Sequence, residues 1–403
     1  MEYRLNTKRP NLICLILLIS FPSFASVLIA PALPAISNYF GVSEGYSQQL
    51  ITVFLIGYTF GQLMYSPFAN KFGRKIALFW GISIYLVGSL ICLIGAHTHL
   101  LNLILIGRGL SGLGSAAGMV LIYTIISDFY HPHQGRSILG YTVIAYAFMP
   151  SVAILAGGFL TTYISWIACF YFLLFYGILM YIAAFILPET MQTQDHSALK
   201  VKSIFSNYFR AFKSWRIIVF SILLGLCGAF VYVTSTASPF IAIKTLGIKA
   251  SLYGVLFLIP YSGQLVGGFS AGKLNSIFST YKMIRLAFLF LILGTLFIFI
   301  SFILHWINLF TLLAPLFFIF LSIPILTSNA SIMALSDYVD KATAAAIMSF
   351  TMMVFVTISI IILTLLPTDK TIVMPSFFLG LLILSLLVFW HVQIRFEDQA
   401  PHK

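Results

Sequence analysis

YSPFANKFGRKIAL, residues 65–78, packs Lys71, Arg74 and Lys75 into five positions of a chain in which only 8% of residues are charged. Apolar runs flank it on both sides. A short basic loop between two segments too apolar for water is a connection at a membrane surface, and the rest of the sequence can be read outward from it.

With 403 residues, 60% of them hydrophobic and 39 of them phenylalanine, no soluble core could hide the apolar surface. A spanning helix needs about 20 mostly apolar residues. Twelve such runs occur, near 11–36, 48–68, 76–95, 101–126, 137–159, 166–187, 216–241, 251–272, 283–304, 309–333, 344–366 and 372–394. The first is too long for a signal-peptide core and no small-x-small cleavage site follows it, so it is expected to be a retained span. Cys14, Cys92, Cys169 and Cys227 all lie inside apolar runs without paired spacing, which argues against disulfides and zinc.

An even number of spans places both termini on one side. That side takes eighteen of the 22 cations; Lys244, Lys249 and Lys370 lie on the other, and Arg108 lies within a span. The positive-inside rule then puts both termini in the cytoplasm, and the net charge of +12 reads as topology rather than nucleic-acid binding.

GQLMYSPFANK (61–71) can be laid on GQLVGGFSAGK (263–273) at an offset of 202, half the chain length. Upstream, Pro34 runs to Gly41 much as Pro239 runs to Gly247. Two parallel six-span halves are expected, an N-terminal bundle at 1–187 and a C-terminal one at 216–403, joined by a polar linker at 188–215. Within the linker Phe205, Tyr208, Phe209 and Phe212 follow helical spacing, which predicts a short amphipathic helix on the membrane surface.

Several local patterns carry a resemblance to a known family. They are Pro31-Ala32-Leu33-Pro34 closing the first span, the loop from Gly61-Gln62-Leu63 to Phe72-Gly73-Arg74-Lys75, and Arg108 with the glycine-rich run after it. Leu187-Pro188-Glu189-Thr190 follows span six, and Ser238-Pro239-Phe240 ends span seven. The chain resembles transporters of the major facilitator superfamily, in particular the bicyclomycin- and chloramphenicol-resistance branch of twelve-span drug:proton antiporters. The resemblance implies an all-α polytopic membrane protein with two pseudo-symmetric six-helix bundles, a bacterial inner-membrane location and transport by alternating access.

Departures from that pattern carry information. The resemblance implies an acid where Asn70 stands, a glycine at Ser66, a second arginine at Tyr123, a proline at Ile154 and an aspartate at Val27. A gating loop of Asn70, Lys71, Gly73, Arg74 and Lys75 is therefore one carboxylate short, with Asp128 at the end of span four as the expected partner of Arg74 or Lys75. Without Asp at position 27, and with no acid inside any span, standard proton antiport is not expected, and transport is expected to be facilitative, driven by substrate charge, or coupled through an end-of-helix group such as Asp128.

Arg108 is the one cation within a span, where a charge is costly enough to suggest function, although at about 10 Å from the span's start it could also snorkel. Ser111 and Ser115 follow it on one stripe of span four. Polar or aromatic groups expected to share a substrate cavity are Ser23, Ser26, Tyr58 and Gln62 in the first half, and Tyr232, Thr236, Tyr261, Gln264 and Asn329 in the second; Tyr123 joins them by position. Each could equally be satisfied by a neighbouring helix. His97/His99 and His131/His133 lack a third ligand, so no metal and no cofactor are expected. The lack of any nucleotide loop or nucleophile–base set argues against an ATP-driven pump and an enzyme. The expectation is a monomeric secondary transporter for small amphipathic organic molecules, working as a multidrug-type exporter in contact only with lipid and substrate. Uptake or facilitated transport of a metabolite or siderophore is the alternative; a non-transporting membrane enzyme or receptor is the alternative of another class.

Overall fold

The structure is a computed structural model and describes residues 9–130, 132–191, 214–335, 341–367 and 370–396. The amphipathic linker helix expected around Phe205–Phe212 lies outside the described residues. Every element is helical: α1 (Leu12–Val27), α2 (Leu33–Phe40), α3 (Glu44–Phe72), α4 (Arg74–His97), α5 (Leu101–Phe129), α6 (Pro132–Tyr163) and α7 (Ala168–Ile186) come first. After the linker come α8 (Trp215–Pro239), a π-turn (Phe240–Thr245), α9 (Ala250–Leu256), α10 (Leu258–Leu274), α11 (Thr280–Ile303), α12 (Leu309–Leu335), α13 (Lys341–Leu365) and α14 (Val373–Phe396). Among the described residues eleven segments are long and apolar enough to cross a bilayer. α3, 29 residues long, joins two of them and makes the twelfth crossing; Gly57, Tyr58 and Gln62 in its middle lower its hydropathy.

Proline explains where spans bend. Pro31 and Pro34 have no N–H to give to the carbonyls four residues back, so the first span breaks after Val27 and resumes through a 3-10 turn at Ala30–Ala32 as α2. Pro260 does the same to the eighth span, which is divided at Phe257 into α9 and α10. Pro239 ends α8, and the chain widens into the π-turn. α3 begins four residues before the apolar run because the Ser43 hydroxyl accepts the Tyr46 N–H and Glu44 occupies the positive end of the helix.

The chain forms two compact units. The first comprises residues 1–32 and 50–207, and the second residues 33–49 and 208–403, so the corner from Leu33 to Gln49 packs with the second unit although sequence places it between spans of the first. Inside the first unit α1 packs on α5, α6 and α7, and α4 on α5 and α7. Inside the second, α8 packs on α12, α13 and α14, and α11 on α12 and α14. These are the same pairings six crossings apart. The aligned glycines agree: Gly61 of α3 lies against the Leu113 carbonyl of α5, and Gly263 of α10 against the Phe317 carbonyl of α12, each so close that a Cβ would collide. In lipid, where apolar burial gives no drive for helix association, such close approach supplies the packing. Large side chains elsewhere on the helices, including Phe185, Trp390 and Ile394, are exposed, as a lipid-facing surface requires.

Candidate functional site

Arg108 projects from α5 and is completely buried. Its Nη1 donates to the Ala25 carbonyl, its Nη2 to the Ser26 carbonyl and its Nε to the Leu50 carbonyl, each at 3.0 Å. The guanidinium carbon lies 4.3 Å from the centroid of the Phe54 ring. The arrangement follows from the broken first span. Where α1 stops, its last carbonyls lose their helical donors and carry the negative end of the helix dipole. A planar guanidinium can cover two of them with one edge and reach α3 with Nε. Arg108 therefore ties α1 to α3 just before each chain segment passes to the second unit, at Ala32/Leu33 and at Gln49/Leu50.

The remaining expected cavity residues of the first unit divide into two groups. Ser23 and Ser26 donate to carbonyls three residues back in their own helix, at 2.9 Å, and so does Ser115 of α5. Ser111 is buried where α5 passes Gly88 of α4. These hydroxyls serve helix contacts. Tyr58 of α3, also buried, donates its phenol to Met119 Sδ at 2.8 Å. Gln62, one turn further along the same face, is 8% exposed, and its Nε2 has no hydrogen-bond partner. Tyr123 is the most exposed of the set.

In the second unit Thr236 donates to the Tyr232 carbonyl at 2.6 Å, and Tyr232 is buried. Tyr261 is fully buried, edge-on to Phe320 with centroids 5.0 Å apart. Asn329 Nδ2 donates to Asn275 Oδ1 at 3.1 Å and to the Ile325 carbonyl at 2.9 Å. Gln264, the repeat mate of Gln62, buries an Oε1 without a partner. The two aligned glutamines thus leave one amide atom each unsatisfied within their own units.

The basic loop is a connected network. Gly73, at φ +106°, turns the chain between α3 and α4 in a region that side chains disfavour. Arg74 Nε meets Asp128 Oδ2 at 3.0 Å, while its Nη1 donates to Asn70 Oδ1 at 2.7 Å and to the Ala69 carbonyl at 3.0 Å. Of the two cations expected to partner Asp128, the structure pairs it with Arg74. Lys75 instead donates to the Phe185 carbonyl at 2.8 Å and lies over the rings of Phe79 and Phe185. Lys71 lies over Phe72, 5.0 Å from its centroid.

The sequence reading used Glu189 only as part of a signature and missed its place here. Glu189 Oε1 accepts the N–H groups of Arg74, Thr190 and Met191, and Oε2 that of Lys75, all at 3.0 Å. A Cβ on Gly73 would meet this carboxylate. α4 has no side-chain cap of its own, so its bare N–H groups were the signal that an acid from elsewhere was needed. The loop that lacks a carboxylate at Asn70 receives one from the segment after α7. Replacing Glu189 with glutamine removes the charge but keeps one acceptor oxygen, which can still take the three N–H groups now on Oε1, and is expected to lower the thermal stability of the full chain by ~1 kcal/mol, with alanine costing about twice that. Thermal denaturation of the purified variants checks the ranking.

Twelve crossings in two like sets of six, with a charged network at one end and, Arg108 apart, neutral polar groups within the described spans, have the build of a polytopic carrier. Residues 13–364 match the family described as the Major Facilitator Superfamily, and the chain belongs to it. It is 26% identical over 274 residues to Multidrug resistance protein D of Escherichia coli (strain K12), a match spanning 67% of each chain. It is also 25% identical over 269 residues to a Bicyclomycin resistance protein homolog of Haemophilus influenzae, spanning 66% of each. A D-xylose-proton symporter shares the fold with a TM-score of 0.75 at 13% identity, over 94% of this chain and 96% of that one. A peptide transporter POT does so with a TM-score of 0.74 at 13% identity, over 95% and 94%. At such identities the solved structures speak for the fold alone. The chain is an integral, multi-pass membrane transporter for small molecules.

Proposed function

We propose that this transporter exports small amphipathic organic molecules in the manner of a multidrug carrier, with both termini in the cytoplasm. The observation that carries the reading is its similarity to two resistance proteins across about two thirds of each. The interior chemistry supports it: among the described residues the carboxylates lie only at or beyond helix ends, and the buried polar groups inside the spans are, Arg108 apart, phenols, amides and hydroxyls beside many aromatic rings. Such walls hold varied apolar bodies by contact area and select weakly for charge. Expression in bacterial cells stripped of their own exporters is expected to lower steady-state accumulation of ethidium or chloramphenicol at least twofold. Accumulation raised above the empty-vector level would overturn export in favour of uptake.

Tyr58, Gln62 and Tyr123 in the first unit, and Tyr232, Tyr261 and Gln264 in the second, are the proposed substrate-contacting groups, with Arg108 holding α3, which carries Tyr58 and Gln62, to α1 and α5. Gln62 gives the sharpest test. A buried amide nitrogen without a partner is a cost to the empty protein, so Gln62→Leu is expected to leave stability unchanged or slightly raised. If the amide serves substrate, the same variant should raise the half-saturating concentration about threefold to tenfold, the worth of one lost hydrogen bond. Unchanged transport with raised stability would make Gln62 a packing residue. Transport is further proposed to run without standard proton antiport.

A further inference from the structure

We infer that Tyr58 and Gln62 of α3 form a hydrogen-bond donor pair that selects neutral molecules carrying two acceptors of carbonyl or nitro type, and that Met119 of α5 holds the Tyr58 proton until such a molecule binds. Resting on the exporter reading, in which both side chains touch substrate, the pair names the class of molecule they take. Tyr58 and Gln62 are four residues apart, so they share one face of α3 with Cβ atoms about 5–6 Å apart. The Tyr58 hydroxyl donates to Met119 Sδ at 2.8 Å. Gln62 is 8% exposed, and its Nε2 has no partner.

These two groups differ from the polar side chains along the same helices. Thr59 of α3 and Ser115, Thr124 and Ser127 of α5 each donate to a carbonyl three or four residues back in their own helix, so their protons are engaged. Tyr58 gives its proton to a thioether, a weak acceptor, and the Gln62 amide gives its protons to nothing. The charged groups of the first unit, among the described residues, are committed elsewhere: Asp128 to Arg74, Glu189 to backbone N–H groups, and Arg108 to the carbonyls of Ala25, Ser26 and Leu50. An organic cation therefore finds no acid on this face of α3, whereas a carbonyl or nitro oxygen finds two donors. Methionine suits the holding role. Its side chain is unbranched and adaptable, so it can turn away, and an oxygen that replaces its sulfur makes the stronger bond. In the empty protein the thioether spares a buried hydroxyl the cost of having no acceptor.

Equilibrium binding to the full chain in lipid nanodiscs tests the pair with two labelled probes. Chloramphenicol is neutral and carries a nitro group and an amide carbonyl; tetraphenylphosphonium is a cation with neither donor nor acceptor. Tyr58→Phe and Gln62→Leu are each expected to weaken chloramphenicol binding about threefold to tenfold, the worth of one lost hydrogen bond. Tetraphenylphosphonium should stay within about twofold of the parent, which also shows that the variants are folded. Met119→Leu keeps the bulk but strands the phenol in the empty protein. It is expected to tighten chloramphenicol binding about threefold when Tyr58 is present and to change nothing in a Tyr58→Phe background. Equal losses for both probes, or chloramphenicol binding untouched by both Tyr58→Phe and Gln62→Leu, would overturn the donor pair. Weakened chloramphenicol binding in Met119→Leu, with or without Tyr58, would overturn the holding role. A parent that binds tetraphenylphosphonium but not chloramphenicol overturns the pair and leaves the exporter reading standing. A parent that binds neither probe overturns the exporter reading, and the pair with it.

Discussion

Arg108→Met is expected to abolish transport and to destabilise the folded chain by ~3 kcal/mol or more. The variant keeps apolar bulk and removes the three donors, stranding the carbonyls of Ala25, Ser26 and Leu50, which the guanidinium now satisfies. Each buried group left without a partner costs about 1–3 kcal/mol, and no water reaches a site that is completely buried. Losing the cation also uncovers the negative end of α1. Arg108→Lys separates this clamp from the cavity cation expected from sequence. A point charge serving substrate survives a change to lysine, whereas three carbonyls on two helices need the planar fork. The lysine variant should therefore melt well below the parent and lose most of its transport. Thermal denaturation and efflux at matched membrane amounts measure both, and a lysine variant with parental stability and rate would overturn the clamp.

The spans were legible in the sequence because charge collects at their ends and the bilayer fixes their length. The basic stretch Asn70–Lys75 announces itself by contrast, although the structure makes it two helix ends that meet at Gly73. The proline breaks were partly legible: Pro31, Pro34, Pro239 and Pro260 were all visible, but which one would divide a helix depends on what takes up the freed carbonyls. At the first span that is Arg108, about 80 residues away. The offset of 202 found the glycines that let α3 approach α5 and α10 approach α12, since close approach demands a residue without a side chain. It gave no hint of the Glu44–Lys244 pair, which the two halves do not share. Glu189 was hidden for a related reason: it caps a helix more than a hundred residues earlier in the chain, a contact with no local pattern.

With the membrane potential held at zero, an imposed pH gradient is expected to drive no accumulation of substrate in proteoliposomes, while the gradient-free exchange of labelled substrate proceeds. Coupling requires a group that takes and releases a proton where the alternating site can reach it, and within membranes carboxylates and histidines fill that role. The resemblance implies an aspartate where Val27 stands, and Val27 is buried at the end of α1, next in the chain to the carbonyls that Arg108 covers. The three acids among the described residues sit at helix ends and are already engaged: Glu44 by Lys244, Asp128 by Arg74 and Glu189 by four backbone N–H groups. A neutral substrate would then equilibrate, and a cationic one would follow the membrane potential at about 2.3 kcal/mol per charge for each 100 mV. Accumulation that collapses with the pH gradient would overturn this, and variants identify the carrier. If it disappears in Asp128→Asn, the proton enters through the loop network; if it disappears in Glu44→Gln, through the Glu44–Lys244 pair. Accumulation that survives both changes would mean that a neutral side chain or the substrate itself carries the proton.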